Sequence, residues 1–358
     1  MKIAVIGGGN GCYAAAADLT EQGHEVRLWR RDAHAFAPLL AHRTITLKDH
    51  QGTRHIRLAL TTIDIGAAVR GADLLLLPLP APTQVDVARL LAPHVEDGQV
   101  GFLPPGSFGS YVMAKTLRDA GCKARVIFAE TGTLPYLTRR HAPTEIAITV
   151  RAKRLPTGVF PAVESKHALD VIGRAYPSIE PVEDALSGAL MNAGPIIHPP
   201  LILMNAGPLE HFDRWDIHNE GTQPAIRAVT DFLDNERIAT REALGYQPYH
   251  FPLRDHYHTD KWMYGDAHDK LTDSGDWREK IVLKDHRYMR EDVEYGLALL
   301  CSVARWAGVN AAVAHGLLAL GGAVCGTDFT LTSARTLASL GLAGMSRADM
   351  PSLLIHGL

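Results

Sequence analysis

The residues best suited to chemistry fall in two segments that lie far apart in the chain. Residues 7–12 read Gly-Gly-Gly-Asn-Gly-Cys and follow a short apolar run, so they match the Gly-x-Gly-x-x-small turn that accepts a dinucleotide pyrophosphate. His198 lies within residues 185–209, which carry no formally charged side chain. Histidine transfers protons near neutral pH. The first segment predicts dinucleotide binding, and the second predicts a proton-transfer group in a dry pocket.

Each small residue of the glycine turn has a distinct expected task. Gly7 permits a tight turn, Gly9 lets the backbone approach the pyrophosphate, and Cys12 is small enough for helix–strand packing. A helix starting at this turn directs its N-terminal amides at the phosphates. The alternative is a purely structural turn between a strand and a helix.

The residue type at the end of the second strand distinguishes proteins that bind NAD from those that bind NADP. Residues 29–32 read Trp-Arg-Arg-Asp, and Arg30 stands about 20 residues past the glycines, where an NAD-type carboxylate is expected. A guanidinium binds a 2′-phosphate in a bidentate fork, which favours NADP. The alternative is a solvated pair of Arg30 and Arg31, with Asp32 as the ribose ligand.

A second polar group precedes an apolar helix near residues 295–307. Residues 286–293 read His-Arg-Tyr-Met-Arg-Glu-Asp-Val. Asp292 is expected at the start of this helix, where the helix dipole favours a carboxylate. On the structural interpretation Asp292 is a helix cap, a role that Glu291 could share, and the nearby arginines are surface charges. In the same way, His198 alone is compatible with a satisfied core histidine.

These residues require a scaffold, and the hydrophobic pattern predicts one. Short apolar strands alternate with amphipathic helices through the first half, which indicates βαβ units and a parallel sheet. Residues 44–47 and 55–60 are expected to form a hairpin, and residues 145–150 and 179–182 to close the sheet at its edge. After residue 183 the pattern is helical. We therefore predict an α/β fold with an N-terminal Rossmann dinucleotide-binding domain (residues 1–183) and an all-helical substrate and catalytic domain (residues 184–358).

The amino-acid composition limits the classes of partner and the cellular compartment that we expect for the protein. The net charge is −3, with 46 % apolar and 21 % charged residues, which excludes a basic footprint for nucleic acid or anionic membranes. Residues 185–209 and 307–327 are uncharged, but their prolines and glycines favour buried core over a membrane span. The four cysteines lie far apart, which fits a reducing cytoplasm and disfavours disulfides or a zinc site.

Several motifs together resemble those of a known family, the octopine/nopaline (opine) dehydrogenases, over nearly the whole length. They are the Gly-Gly-Gly-Asn-Gly start, Pro-Pro-Gly at 104–106, Glu-Thr-Gly-Thr-Leu-Pro-Tyr at 130–136, Asn192 with His198-Pro199, and Arg287-Tyr288 leading to Glu291-Asp292. The resemblance implies a Rossmann domain followed by a helical domain. It also implies reductive joining of an amino acid's amino group to an α-keto acid through an imine, with NADH or NADPH.

The resemblance also assigns roles to residues. The family's catalytic histidine matches His198, its partner carboxylate matches Asp292, and its substrate-binding arginine matches Arg287. Arg30 departs from members that carry Asp there, so we expect NADPH to be preferred, with NAD possible. Residues 257–284 match poorly, so the identities of the amino acid and keto acid stay open. The predicted sites are catalytic His198 and Asp292; substrate-binding Arg287 and Asn192; and cofactor-binding Gly7, Gly9, Asn10, Gly11, Cys12, Arg30, Arg31, Pro80 and Glu130.

Two other functions remain open from the sequence. One is an NADP-dependent keto or hydroxy acid reductase of the ketopantoate reductase or 6-phosphogluconate dehydrogenase type, which usually depends on a lysine; residues 185–209 contain none. The other is a dinucleotide-sensing protein without turnover. His250, His256, His258 and His268 have spacing that can ligate a metal, but we favour a loop without one. We further expect a cytoplasmic protein without nucleic-acid or membrane partners, and leave a homodimer open.

Overall fold

The computed structural model of the chain describes residues 1–276 and 280–358. It contains two compact units. The first comprises Met1–Ala189 together with Ser352–Leu358, and the second comprises Leu190–Pro351. This division lies a few residues after the predicted boundary at residue 183 and adds the C-terminal segment to the first unit. The functional boundary stays a prediction.

The first unit is built on an eight-stranded sheet. Its order is β12-β11-β8-β7-β6-β1-β2-β5, and the pairs from β8 to β5 are all parallel, as the alternating pattern predicts. β11 runs antiparallel to β8, because the residues between them form strands of another sheet instead of a crossover helix. The strands of the unit are β1 (Lys2–Ile6), β2 (Glu25–Trp29), β3 (Thr44–Asp49), β4 (Gly52–Arg57), β5 (Leu60–Thr62), β6 (Leu74–Leu76), β7 (Val100–Leu103), β8 (Ile127–Thr131), β9 (Tyr136–Ala142), β10 (Glu145–Arg151), β11 (Leu155–Phe160) and β12 (Ile179–Pro181).

A second, four-stranded sheet has the order β4-β3-β10-β9. β3 and β4 form the predicted hairpin, with Asp49 opposite Gly52. β12 is the predicted edge strand of the main sheet. The same expectation for residues 145–150 is wrong, since β10 pairs with β3 and β9 inside the second sheet.

The first helix lies between the two sheets. It packs against β1 and β2 on the main sheet and against β3, β9 and β10 on the other. Its residues Ala14, Ala15, Ala16 and Ala17 are all buried, since only small side chains fit a helix covered on both sides. The helices of this unit are α1 (Asn10–Glu21), α2 (Ala33–His42), α3 (Ile65–Val69), α4 (Gln84–Leu91), α5 (Gly109–Asp119), α6 (Ser165–Gly173) and α7 (Ala185–Ala189), with 3₁₀ turns at Ala81–Thr83 and Ala162–Glu164.

The second unit is helical, which confirms the predicted fold class. Residues 185–209 form core helices, in agreement with their apolar composition. The apolar helix predicted near 295–307 begins earlier, as a π-helix at Tyr288–Leu297, and continues as an α-helix. The helices are α8 (Gly194–Met204), α9 (Ala206–His211), α10 (Pro224–Ala243), α11 (His268–Ser274), α12 (Ala298–Ala307), α13 (Ala312–Cys325) and α14 (Phe329–Thr332), with a 3₁₀ turn at Leu253–Tyr257. The last helix, α15 (Met350–His356), begins at the end of this unit and continues into the C-terminal segment of the first unit.

Among the helices in residues 1–276 and 280–358, none combines the length and apolar character needed to cross a bilayer.

Candidate active site

The glycine turn connects β1 to α1 in a geometry that small residues make possible. Gly7 has φ 131° and donates its amide to the Trp29 carbonyl at 2.9 Å. A Cβ at Gly7 would lie 2.8 Å from the Cys12 Sγ, so a larger residue does not fit. At Gly9 a Cβ would meet nothing within 4 Å, and Gly9 gives α1 no side-chain cap. The turn therefore leaves space beside the uncapped N-terminus of α1, as pyrophosphate binding requires.

The remaining turn residues start α1 and pack it. Asn10 is the first residue of the helix. A Cβ at Gly11 would lie 2.7 Å from the Leu134 Cδ1, so this position is tightly packed. Cys12 is buried, and burial raises the pKa of its thiol to about 12, which excludes a thiolate nucleophile at neutral pH. Cys12 thus has the packing role that its small size predicts.

Arg30 extends from the end of β2 across the glycine turn. A Cβ at Gly8 would lie 2.6 Å from the Arg30 Cδ. The guanidinium Nη1 lies 3.4 Å from the Tyr13 Oη and 3.3 Å from the Ala35 carbonyl. Asp32, the alternative ribose ligand, accepts the Ala35 amide at 3.0 Å and caps α2. Its carboxylate thus already has a structural partner, whereas the neighbouring Arg31 is exposed.

A second guanidinium reaches the same turn from the other sheet. Arg140 of β9 donates to the Gly8 carbonyl at 3.4 Å, and its guanidinium lies 5.1 Å from the centroid of the Tyr13 ring. Sequence reasoning missed Arg140. It lies 132 residues from Gly8 along the chain, and no local motif marks it.

Two residues predicted to bind the cofactor have different surroundings. The Glu130 carboxylate is fully buried and accepts the amides of Phe108 at 2.7 Å and Ser110 at 3.1 Å, at the start of α5. It therefore holds the loop after β7 in place, and its contact with a cofactor stays a prediction. Pro80 is exposed after β6, and its carbonyl accepts the amide of Thr83.

The second unit brings His198 and Asp292 together. The Nδ1 of His198, on α8, lies 2.6 Å from the Oδ2 of Asp292, on the π-helix, although 94 residues separate them. The exposed fractions of the side chains are 15 % and 10 %. Burial raises the pKa of the Asp292 carboxyl, and the positive charges of Arg287 and His286 oppose that rise. Asp292 thus pairs with the imidazole and lies within the helix, so it is not the helix cap considered from sequence.

Close approach of α8 and the π-helix makes this pair possible. A Cβ at Gly194 would lie 2.3 Å from the Asp292 Oδ1, and one at Gly296 would lie 2.1 Å from the Pro195 Cγ. Because neither glycine has a side chain, α8 and the π-helix approach each other closely at these two positions, and no larger residue would fit there. A π-helix is wider than an α-helix and is frequent at functional sites. The hydrophobic pattern does not reveal it.

The two predicted substrate-binding residues flank the pair. Arg287 is exposed at the start of the π-helix, and its charge acts on Asp292. Asn192 is buried, and its Oδ1 accepts the Gly194 amide at 3.0 Å, which shapes the start of α8. Arg287 is thus an exposed cation whose binding of a substrate carboxylate stays a prediction, whereas Asn192 has a structural partner.

Aromatic contacts surround the pair, and sequence reasoning missed them. The Tyr288 ring stacks on the His198 imidazole with centroids 3.7 Å apart and planes 10° apart. The Tyr288 Oη lies 2.8 Å from the His218 Nε2, and His286 packs edge-on against the ring at 4.4 Å. The adjacency of Tyr288 to Arg287 was a signal, but nothing in the sequence pointed to His218.

The histidines of residues 250–268 contact different partners. His250 hydrogen-bonds the Arg241 Nε at 3.1 Å, and His256 packs against Trp262. The side chain of His268 lies outside the described part of the chain. Among the described residues, no group of three His, Cys, Asp or Glu side chains is arranged to hold a metal. All four cysteines are described and free of disulfides.

Comparison with known proteins agrees with this architecture. Residues 2–103 match the N-terminus of NAD-dependent glycerol-3-phosphate dehydrogenase, and residues 181–325 match the α-helical domain of NAD/NADP octopine/nopaline dehydrogenase. An opine dehydrogenase from Arthrobacter sp. (strain 1C) is 29 % identical, covering 98 % of this chain and 97 % of its own.

Solved structures share the fold. An octopine dehydrogenase in complex with NADH and agmatine superposes with a TM-score of 0.75 at 19 % identity, covering 100 % of this chain and 98 % of its own. A yersinopine dehydrogenase with bound NADP⁺ superposes with a TM-score of 0.65 at 16 % identity, covering 99 % of this chain and 98 % of its own.

The N-terminal match and the glycine turn show that the cofactor is a nicotinamide dinucleotide. The helical-domain match, the full-length relative and the shared fold confirm the resemblance seen in the sequence. The chain is an NAD(P)-dependent oxidoreductase that resembles opine dehydrogenases over its length, and its residues 181–325 match the α-helical domain of the octopine/nopaline dehydrogenases.

Proposed function

We propose that this protein is an NADPH-preferring opine dehydrogenase. It condenses the amino group of an amino acid with an α-keto acid and reduces the resulting imine to an N-(carboxyalkyl) amino acid. The observation that carries the proposal is the partly buried 2.6 Å hydrogen bond between His198 and Asp292, with Arg287 at the start of the π-helix that carries Asp292. This arrangement supplies a proton-transfer group and a cation for a substrate carboxylate.

His198 carries the proton chemistry in this proposal. Asp292 binds Nδ1, and Nε2 is the nitrogen that we propose exchanges protons with substrate. As a base, Nε2 removes a proton from the substrate ammonium, and the neutral amine attacks the keto carbon. The former keto oxygen takes a proton from the attacking nitrogen to become a hydroxyl, and His198, as an acid, protonates this hydroxyl, so that water leaves and a protonated imine forms. The Asp292 carboxylate holds the tautomer and stabilises the imidazolium between these steps.

The reduction completes the reaction. Reduced nicotinamide dinucleotide, when bound, supplies the hydride that the imine carbon accepts. The positive charge of Arg287 holds a substrate carboxylate, since a guanidinium matches its two oxygens. Both the amino acid and the keto acid carry carboxylates, so Arg287 suits either.

The preference for NADPH rests on the charges around the glycine turn. Arg30 lies across Gly8 from β2, Arg140 donates to Gly8 from β9, and Arg31 is exposed nearby. The carboxylate that would otherwise accept a ribose hydroxyl, Asp32, caps α2. A 2′-phosphate bound at this turn would therefore lie near several positive charges.

The cytoplasmic location and a homodimer are further proposals from the sequence.

The function is tested by measuring NADPH oxidation with a matrix of amino acids against pyruvate, glyoxylate and 2-oxoglutarate. We expect turnover only when an amine and a keto acid are both present. Reduction of a keto acid alone at the same rate would identify a simple keto acid reductase. Tight NADPH binding with no oxidation for any pair would identify a dinucleotide-sensing protein.

A matched pair of variants controls this assay. His198→Ala removes the proposed proton-transfer group, whereas His356→Ala removes an exposed histidine on α15. We expect only the first to lose activity. Equal activity of the two variants would assign His198 to the core.

A further inference from the structure

Tyr288 packs directly against the His198–Asp292 pair, and the mechanism proposed above gives Tyr288 no role. Its ring is 1 % exposed and stacks on the His198 imidazole at 3.7 Å, with planes 10° apart. Asp292 contacts the same imidazole at its Nδ1 edge. The imidazole is therefore held at one edge by a hydrogen bond and at one face by an aromatic ring.

The two contacts restrict different motions. A hydrogen bond at Nδ1 fixes the distance to Asp292 but does not by itself determine the plane of the imidazole. A planar ring against its face fixes this plane and so determines where Nε2 points. Two neutral electron-rich rings avoid a near-parallel stack with little offset, whereas a cationic ring over a phenol face is attracted. The stack thus also favours the imidazolium that forms when His198 accepts a proton.

Tyr288 is itself held from several sides. Its Oη lies 2.8 Å from the His218 Nε2. The His286 ring packs edge-on at 4.4 Å between centroids, and the Arg287 guanidinium lies 5.6 Å from the ring centroid. The ring that orients His198 therefore has a fixed orientation of its own, and it contacts the arginine proposed to bind substrate.

We infer that Tyr288 is a positioning residue for this active site, and that His218 anchors it. The Tyr288 ring sets the plane of the catalytic imidazole relative to Arg287, and the hydrogen bond to His218 fixes the ring. The inference rests on the proposed function of His198.

The ring is tested by Tyr288→Leu and Tyr288→Phe, with kcat and KM measured for each substrate. Misplacing a reacting group by about 1 Å costs up to about 10²-fold in rate. We expect Tyr288→Leu to lower kcat about 10- to 100-fold with the KM for NADPH unchanged. Tyr288→Phe keeps the ring and should recover most of the rate. Leucine and phenylalanine variants with equal kcat would overturn the positioning role.

Tyr295→Leu is the matched control. Tyr295 lies on the same π-helix, and its ring packs against Arg335 at 5.7 Å. We expect its kcat to stay within about twofold of the wild type. A loss as large as that of Tyr288→Leu would mean that any tyrosine truncation in this helix disturbs the site, and the inference would fail.

The anchor is tested by a double-mutant cycle of His218→Ala and Tyr288→Phe. Both changes remove the same hydrogen bond, so each should lower kcat by a few-fold and the double variant by no more than either alone. Additive losses would show that His218 acts independently of Tyr288, which contradicts the anchoring role. Normal turnover by a folded His198→Ala variant would instead refute the proposed function, so the two failures are distinguishable.

Discussion

The cofactor turn and the His198–Asp292 pair are held in place by different means. The turn depends on backbone: Gly7 has a positive φ, and Gly9 leaves open space beside the start of α1. The pair depends on two side chains that meet only because α8 and the π-helix pack closely. This difference predicts that substitutions in the first region change cofactor affinity and preference, whereas substitutions in the second change turnover.

The largest effect is expected from the dyad. His198→Ala should lower kcat by about 10²–10⁴, because it removes the proposed general acid and base. Asp292→Asn should also be severe, since an amide does not stabilise an imidazolium. Steady-state kinetics gives kcat, and fluorescence titration gives the Kd for NADPH, which should stay unchanged. If these variants instead bound NADPH more weakly and kept a normal kcat, the His198–Asp292 pair would serve cofactor binding and not turnover, which would contradict the comparison.

The next effect concerns cofactor preference. Charge-assisted hydrogen bonds are worth about 1.5–3 kcal/mol, so Arg30→Asp should reduce the ratio of kcat/KM for NADPH over NADH by about 10- to 100-fold. Arg140→Gln should reduce it less, because Arg140 is exposed. Kinetics with both cofactors measures the ratio. Equal use of NADH and NADPH by the unmodified protein would contradict the preference.

A pair of glycine variants tests how tightly the dyad is packed. Gly194→Ala places a methyl group 2.3 Å from the Asp292 Oδ1, so we expect the carboxylate to shift, with kcat falling about 10-fold and stability falling by about 1–3 kcal/mol. Gly207→Ala on α9 is the control, because its Cβ meets nothing within 4 Å. Kinetics and urea unfolding distinguish them. Equal results for both variants would show that Gly194 is not tightly packed.

The smallest effect concerns pH and stability. Burial raises the pKa of Asp292 to about 7, whereas an unfolded aspartic acid titrates near pH 3.9. As the pH rises through this window, the unfolded state loses the proton first, so ionisation destabilises the folded wild type. Asp292→Asn removes that cost. It should therefore gain stability relative to wild type as the pH rises from 4 to 7, measured by urea unfolding. A difference independent of pH would contradict the raised pKa.

Much of the fold could be predicted from the sequence because its signals are local. The run before Gly7, the alanines of α1 and the alternation of strands and helices predict the parallel core of the first unit. The placement of β10 was missed, because a short apolar strand carries no information about which sheet it joins.

The candidate site shows the same limit. The position of Arg30 beside the glycine turn could be predicted because Arg30 follows β2 at the expected distance from the glycines, and the roles proposed for His198 and Asp292 come from the family resemblance. Arg140 and His218 could not, since their partners lie far along the chain. The π-helix also has no signal in the hydrophobic pattern, so Asp292 was expected at a helix start and lies within a helix.

The central claim is that an imine, formed from two substrates, accepts the hydride. It is tested most directly by supplying NADPH deuterated at the transferred position, together with an amino acid and a keto acid, and determining the product by mass spectrometry. We predict a secondary amine that carries a single deuterium on the former keto carbon, between the nitrogen and the carboxylate. A deuterated hydroxy acid, with the amino acid recovered unchanged, would contradict the account.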